Sequence, residues 1–122
     1  LLDRNWRLRG VDAPVYVAGQ LSGTEGYCEA IASGLMCALF VYAQLQGMQA
    51  PLLPVETAFG ALLDYATDPA TQDYQPMHVN FGILKPLDQH IRNKGMRYAA
   101  YAERGSRAME GYVADIRAKG LL

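Results

Sequence analysis

The stretch Val15-Tyr16-Val17-Ala18-Gly19-Gln20-Leu21-Ser22-Gly23-Thr24-Glu25-Gly26-Tyr27 holds the residues best placed to do chemistry. A short apolar run after Pro14 predicts a buried strand over Val15–Ala18. A polar, glycine-rich turn follows, and then a helix start, with Ser22 or Thr24 as a plausible N-cap. Such a junction aims unpaired backbone N–H groups and the positive end of a helix dipole at one spot. Gly19, Gly23 and Gly26 lack a Cβ, so a planar ring or a phosphate can approach the backbone between them. Glu25 would sit in the first helical turn, where a carboxylate serves the dipole, caps the helix or orients a ligand. A plain tight turn uses the same residue types, and the pattern alone leaves both readings open.

The elements that position this turn follow from periodicity. A long helix is expected from about Gly26 to Gln46, closed by Gly47. It is apolar nearly all round, with Tyr27, Ile31, Leu35, Leu39, Tyr42 and Leu45 on one stripe and Ala30, Gly34, Cys37 and Val41 on another. A helix of that kind is expected to be buried on most sides. Pro51 and Pro54 break the chain, and a shorter helix should run from Val55 to about Ala66. Residues 67–78 read as loop, and Met77–Leu84 as extended or irregular. A final helix or helix pair should cover about Leu87–Lys119, interrupted near Gly95 and Gly105. The first 14 residues read as loop or a short strand.

The 122 residues suffice for one modest domain, and the composition, 51% hydrophobic and 19% charged, is that of a folded chain. Charge is unevenly spread. Residues 1–84 carry three basic and eight acidic side chains, a net of −5, while residues 85–122 carry eight basic and four acidic, a net of +4. The basic tail is therefore the part suited to face an anion. Lys85, Arg92, Lys94, Arg97, Arg104 and Arg107 form that stretch, either as a phosphate-binding surface or as a solvated helix face. Cys28 and Cys37, nine residues apart on one helix, lie about 13 Å apart and on opposite sides, too far to form a disulfide. Both read as small helix hydrophobes rather than reactive thiols. His78 and His90 have no ligand cluster at metal spacing, so no metal site is expected. The longest apolar run, Leu35–Ala43, is shorter than a bilayer span, and no membrane or secretory segment is expected. A reducing, cytoplasmic setting fits.

Longer motifs add a resemblance. An apolar strand running into Ala18-Gly19-Gln20, then Gly23-Thr24-Glu25-Gly26-Tyr27-Cys28-Glu29-Ala30, is similar to two related groups of tRNA-modifying flavoproteins, TrmFO and the wobble-uridine enzyme MnmG (GidA). Leu53-Pro54-Val55-Glu56-Thr57-Ala58-Phe59-Gly60-Ala61-Leu62-Leu63 and Gln75-Pro76-Met77-His78-Val79-Asn80-Phe81-Gly82-Ile83-Leu84 resemble the TrmFO pattern and separate it from MnmG. His78 departs from that pattern, which often has Asn there.

The resemblance implies a C-terminal part of a folate- and FAD-dependent methyltransferase acting on C5 of the T-loop uridine, position 54, of tRNA. It implies FAD as cofactor, with methylenetetrahydrofolate and NAD(P)H as co-substrates. The fold expected is an α+β fragment, mostly helical. Residues 1–50 would close a glutathione-reductase-type FAD-binding domain, and residues 51–122 would form a helical C-terminal region with an irregular segment at 67–86. Gly19, Gln20, Gly23, Thr24, Glu25, Gly26 and Tyr27 become the candidate cofactor-binding residues. Asn80 and Phe81, which could equally be a turn residue and a core aromatic, become candidates for folate, and Arg92, Lys94 and Arg97 for tRNA. The family's phosphate-binding glycine motif and catalytic cysteines have no counterpart here, so no catalytic residue is expected in this chain, and its partner would be a missing N-terminal part of the same enzyme. The rivals are an MnmG-like wobble-uridine enzyme and a non-catalytic structural module.

Overall fold

A computed structural model describes all residues, Leu1–Leu122. Three α-helices dominate: α1 (Tyr27–Leu45), α2 (Ala58–Thr67) and α3 (Lys94–Ala118), with 3-10 turns at Gly19–Ser22 and Phe81–Ile83. The expected helices are present, and the boundaries of α1 match to one residue. The expected buried strand is not. Val15–Ala18 is extended but makes a single antiparallel bridge, Arg7 to Tyr16, and Val15 is 42% exposed. A strand needs a ladder, and here only the Trp6–Leu8 side supplies one, through Leu8 N–H to Val15 O and Val17 N–H to Trp6 O.

The core is small. Met36, Cys37, Phe40 and Ala43 form the inner stripe of α1 at three- and four-residue spacing, and they meet Trp6, Leu53, Leu63, Tyr112, Ile116 and Leu121. Trp6 is fully buried at its centre, its ring edge-on to Phe59 at 5.5 Å. The amino-terminal segment is thus a wall of the core, not a loop outside it. The core draws on residues from both sides of position 50. The outer side of α1 is bare: Tyr27, Ile31, Leu35, Tyr42 and Leu45 are all exposed. The expectation that α1 is buried on most sides therefore fails for this chain, because nothing in it covers the stripe that carries Tyr27, Ile31, Leu35, Tyr42 and Leu45. By length and composition α1 could cross a membrane, contrary to what the longest uninterrupted apolar run implied.

Local chemistry sets the helix ends. Thr57 caps α2, its Oγ1 accepting from Gly60 N–H at 3.0 Å and donating to Pro54 O at 2.7 Å. Asn93 caps α3 by accepting from Met96 N–H. After α1, Gly47 N–H donates to Gln44 O and Met48 N–H to Ala43 O, the paired bonds of a Schellman stop. The helix expected from Leu87 begins only at Lys94, beside Gly95, and α3 then runs unbroken through Gly105, where an interruption or kink was expected. A Cβ at Gly105 would stand 3.4 Å from Glu56 O, so this glycine lets α3 approach the start of α2 rather than breaking it.

Candidate functional site

The turn before α1 is built from inward hydrogen bonds. Ser22 Oγ and Thr24 Oγ1 both donate to Gly19 O, at 2.7 and 3.0 Å, and Gly19 N–H donates to Ser33 Oγ at 2.6 Å. Ser22 and Thr24 therefore brace the turn and do not cap the helix. Gly26 is the N-cap residue, and no side chain caps α1. Thr24 is fully buried, and it pairs in parallel with Met77: Glu25 N–H donates to Met77 O and Met77 N–H to Gly23 O.

The two sequence blocks are thereby joined. Tyr74 donates to Gly23 O at 2.8 Å, and Glu29 Oε1 accepts from Val79 N–H at 3.1 Å. The phenol of Tyr74 is pushed above its usual pKa, first by burial and then by the charges of Tyr65 and Glu25. The carboxylate at the helix start belongs to Glu29, not Glu25: a Cβ at Gly26 would lie 2.3 Å from Glu29 Oε2. Glu25 is exposed. Sequence reasoning singled out neither Tyr74 nor Glu29. The Glu at the third position of the helix was visible, but its partner 50 residues away was not.

The three glycines differ in what they face. A side chain at Gly23 would collide with the Tyr74 ring and one at Gly26 with Glu29, so those spaces are filled from within the chain. At Gly19 a Cβ would meet nothing within 4 Å. Gln20 and Tyr27 are exposed. The N–H groups of Tyr27, Cys28 and Glu29 have no acceptor, the first bonded one being Ala30 N–H to Gly26 O. Gly19, Gln20 and Tyr27 thus remain open to a ligand, whereas Gly23 and Thr24 support the turn from inside. Of the cysteines, Cys28 is exposed and Cys37 buried. Burial lifts the Cys37 thiol to about 11. The expectation that Cys28 is a buried hydrophobe fails because it lies on the bare side of the first turn.

A concavity of about 600 Å³ lies between the start of α2, residues 79–84 and α3. Phe81 stacks on Tyr98 with centroids 4.1 Å apart and meets Tyr101 edge-on at 5.6 Å. Asn80 Oδ1 accepts from Gly82 N–H, the bond of a turn residue. Phe81 is 48% exposed, so it is a wall of this cavity and not a core residue.

The basic stretch is partly spent on its own chain. Arg97 donates to Ile91 O, and Arg104 donates to Pro86 O and Lys85 O at 2.9 and 2.8 Å. Arg107 pairs with Glu103. Arg92 and Lys94 are exposed, with Lys94 Nζ 5.5 Å from the Tyr98 ring centroid.

Comparison with known proteins fits this arrangement. A family model described as Glucose inhibited division protein A matches residues 4–49, the amino-terminal segment, the turn and α1. Three proteins named methylenetetrahydrofolate–tRNA-(uracil-5-)-methyltransferase TrmFO match much further. That of Thermotoga neapolitana is 42% identical over 113 residues, 93% of this chain and 26% of its own length. That of Syntrophotalea carbinolica is 40% identical over 109 residues, 89% of this chain and 24% of its own. That of Sphingopyxis alaskensis is 46% identical over 111 residues, again 89% and 24%. The chain is thus similar to one stretch of TrmFO proteins over about nine-tenths of its own length. The TrmFO relatives extend across α2, the 75–84 block and most of α3, whereas the Glucose inhibited division protein A match ends after α1. The chain spans about a quarter of the length of these TrmFO relatives.

Proposed function

We propose that this chain is one part of a TrmFO enzyme that methylates C5 of uridine 54 in the tRNA T-loop, using methylenetetrahydrofolate and FAD with NAD(P)H. The observation that carries the reading is the joining of the glycine turn to the 75–84 block, through Glu25 to Met77 and Glu29 to Val79, beside an α1 start with three unpaired N–H groups. FAD supplies the reducing electrons that turn a methylene into a methyl group. In this reading residues 1–50 close a glutathione-reductase-type FAD-binding domain, and residues 51–122 are the helical region that follows it. The open face at Gly19, Gln20 and Tyr27 fits a flavin edge, with Gly23, Thr24, Glu25 and Gly26 holding the turn in shape. The aromatic cavity at Phe81 is the candidate wall for the pterin of the folate. Lys85, Arg92 and Lys94 are the side chains left to meet tRNA phosphates, and a cytoplasmic setting goes with that substrate. The remaining three quarters of a TrmFO polypeptide would supply the rest of the active centre.

The test uses a chimera in which this chain replaces the matching stretch of the Thermotoga neapolitana relative. Gly19 and Gly10 have nearly equal positive φ, 71° and 74°, and both face open space. Gly19→Ala and Gly10→Ala therefore carry the same backbone cost. The reading predicts that Gly19→Ala lowers bound flavin and Gly10→Ala does not. Equal flavin content in the two variants contradicts it.

A second reading, a non-catalytic module when the chain is on its own, is favoured by the quarter-length match. It predicts no methyl transfer by the isolated chain.

A further inference from the structure

We propose that Glu56 selects the ligand of the aromatic cavity, by accepting two N–H bonds from the edge of a 2-amino-4-oxopyrimidine ring. The ring comes from the pterin of the folate, and that source rests on the tRNA methyltransferase reading above. The same selection keeps the target uracil out of this cavity.

The first observation is the shape of the site. Phe81 and Tyr98 lie nearly parallel, 4.1 Å and 11° apart, yet are 48% and 37% exposed. Tyr101 meets Phe81 edge-on. Half-covered rings of this kind offer flat apolar surface to a further planar ring. A volume of about 600 Å³ holds a bicyclic heterocycle and the start of its substituent.

The second observation is a free charge. Glu56 is the only carboxylate among the lining residues, and it forms no ion pair and accepts no hydrogen bond. The two cations on the ring faces are engaged there: Lys94 Nζ lies 5.5 Å from the Tyr98 centroid and Arg104 Cζ 5.2 Å from that of Tyr101. Thr57 and Asn80, also in the lining, spend their side-chain oxygens on neighbouring backbone. Glu56 directly precedes the Thr57 N-cap, where the positive end of α2 favours its ionised form. A half-buried carboxylate on an apolar wall is costly until a ligand brings it donors.

The chemistry of the two together is selective. An ionised carboxylate only accepts, through two oxygens side by side. Paired with flat aromatic walls, it calls for two parallel N–H donors on one edge of a planar ring. A 2-amino-4-oxopyrimidine presents them as its ring N–H and its 2-amino group. Uracil presents one N–H between two carbonyl oxygens, which would face the carboxylate. In cytosine and adenine the amino group adjoins a ring nitrogen that accepts. Guanine alone among the bases shares the pterin edge, so a guanine of the tRNA is the other source of this ring.

Equilibrium dialysis on the chimera, with tetrahydrofolate, its 2-desamino analogue and guanosine monophosphate, tests the proposal. Glu56→Gln conserves size and removes no contact, so the melting temperature should hold. The variant should bind tetrahydrofolate roughly 10–100-fold more weakly, the loss expected for hydrogen bonds to a charged group. Its affinity for the 2-desamino analogue should stay that of the parent chimera. Glu110→Gln removes the same charge from an exposed position on α3 and should leave both affinities unchanged. Unchanged tetrahydrofolate binding in Glu56→Gln, an equal loss for both ligands, or an equal effect of Glu110→Gln overturns the proposal. Guanosine monophosphate that displaces tetrahydrofolate at similar concentration, and needs Glu56 to do so, gives the cavity to tRNA guanine and overturns the pterin source. Glu56-dependent tetrahydrofolate binding in a chimera that methylates no uridine upholds the proposal and sinks the methyltransferase reading. A chimera that methylates uridine 54 but binds tetrahydrofolate without need of Glu56 does the reverse.

Discussion

The phenol ring of Tyr74 fills the space that a side chain at Gly23 would need. A Cβ there would stand 2.8 Å from Tyr74 Cε1, while the Tyr74 hydroxyl donates to Gly23 O at the same distance. Gly23 also holds φ at 87°, where a Cβ is strained whatever its neighbours. Gly23→Ala should therefore cost roughly 2–4 kcal/mol, the sum of the backbone penalty and overpacking. Urea denaturation of Gly23→Ala, Tyr74→Ala and the double variant separates the two parts. The double variant should lose less than the sum of the singles, because the collision vanishes while the φ penalty stays. Strict additivity would contradict the contact.

Tyr112 gives a pH signature. Its hydroxyl donates to Pro51 O at 2.7 Å, and burial, helped by Asp115, lifts its pKa to about 12 from 10.0. Cys37 is lifted from 9.0 to about 11 by burial alone. The folded state holds both protons more tightly than the unfolded one. Their stabilising contribution is complete below the unfolded values and is lost as pH rises through the folded ones. Stability should thus decline between pH 9 and 12. Tyr112→Phe should cost about 1–2 kcal/mol at pH 7 and remove the part of the decline between pH 10 and 12. An unchanged pH profile in that variant would rule out the assignment.

The two thiols should react very differently. Cys28 is exposed on the first turn of α1, whereas Cys37 is buried and donates to Val17 O at 3.4 Å. With a chromogenic disulfide reagent at pH 8, one thiol should titrate at once and the second only on unfolding. Prompt reaction of both would mean that the α1 inner face is open.

The basic residues separate into two classes. Arg92→Ala with Lys94→Ala in the chimera should weaken tRNA binding and flatten its log–log salt dependence by up to ~0.7–0.9 per lost contact. Arg104→Ala removes the bonds to Lys85 O and Pro86 O, and Arg97→Ala the bond to Ile91 O. Those changes should loosen residues 85–91, seen as faster amide exchange, and leave the salt slope unchanged. A slope equally reduced by Arg104→Ala would return that residue to the phosphate-binding surface.

What was legible in the sequence was local. The apolar period and the Gly47 stop mark α1, whereas the Thr57 and Asn93 caps that start α2 and α3 were passed over in favour of Val55 and Leu87. What was not legible depended on partners. The Val15–Ala18 run has strand composition, but strand formation needs a second edge. The outer α1 stripe has core composition, but burial needs a cover. Gly105 looks like a helix breaker until Glu56 O is found 3.4 Å from where its Cβ would be. At the turn, three glycines looked alike, and only their neighbours, Tyr74, Glu29 and open space, tell them apart. Trp6 was missed because eight flanking residues of mixed polarity give no period.

Whether this chain completes a TrmFO enzyme is tested most directly by methyl transfer from labelled methylenetetrahydrofolate to an unmodified tRNA transcript, with FAD and NADPH present. The chimera carrying this chain in the Thermotoga neapolitana relative should label C5 of uridine 54, and the isolated chain should label nothing. A folded, flavin-loaded chimera that leaves uridine 54 unlabelled, or labels the wobble uridine instead, would contradict the claim.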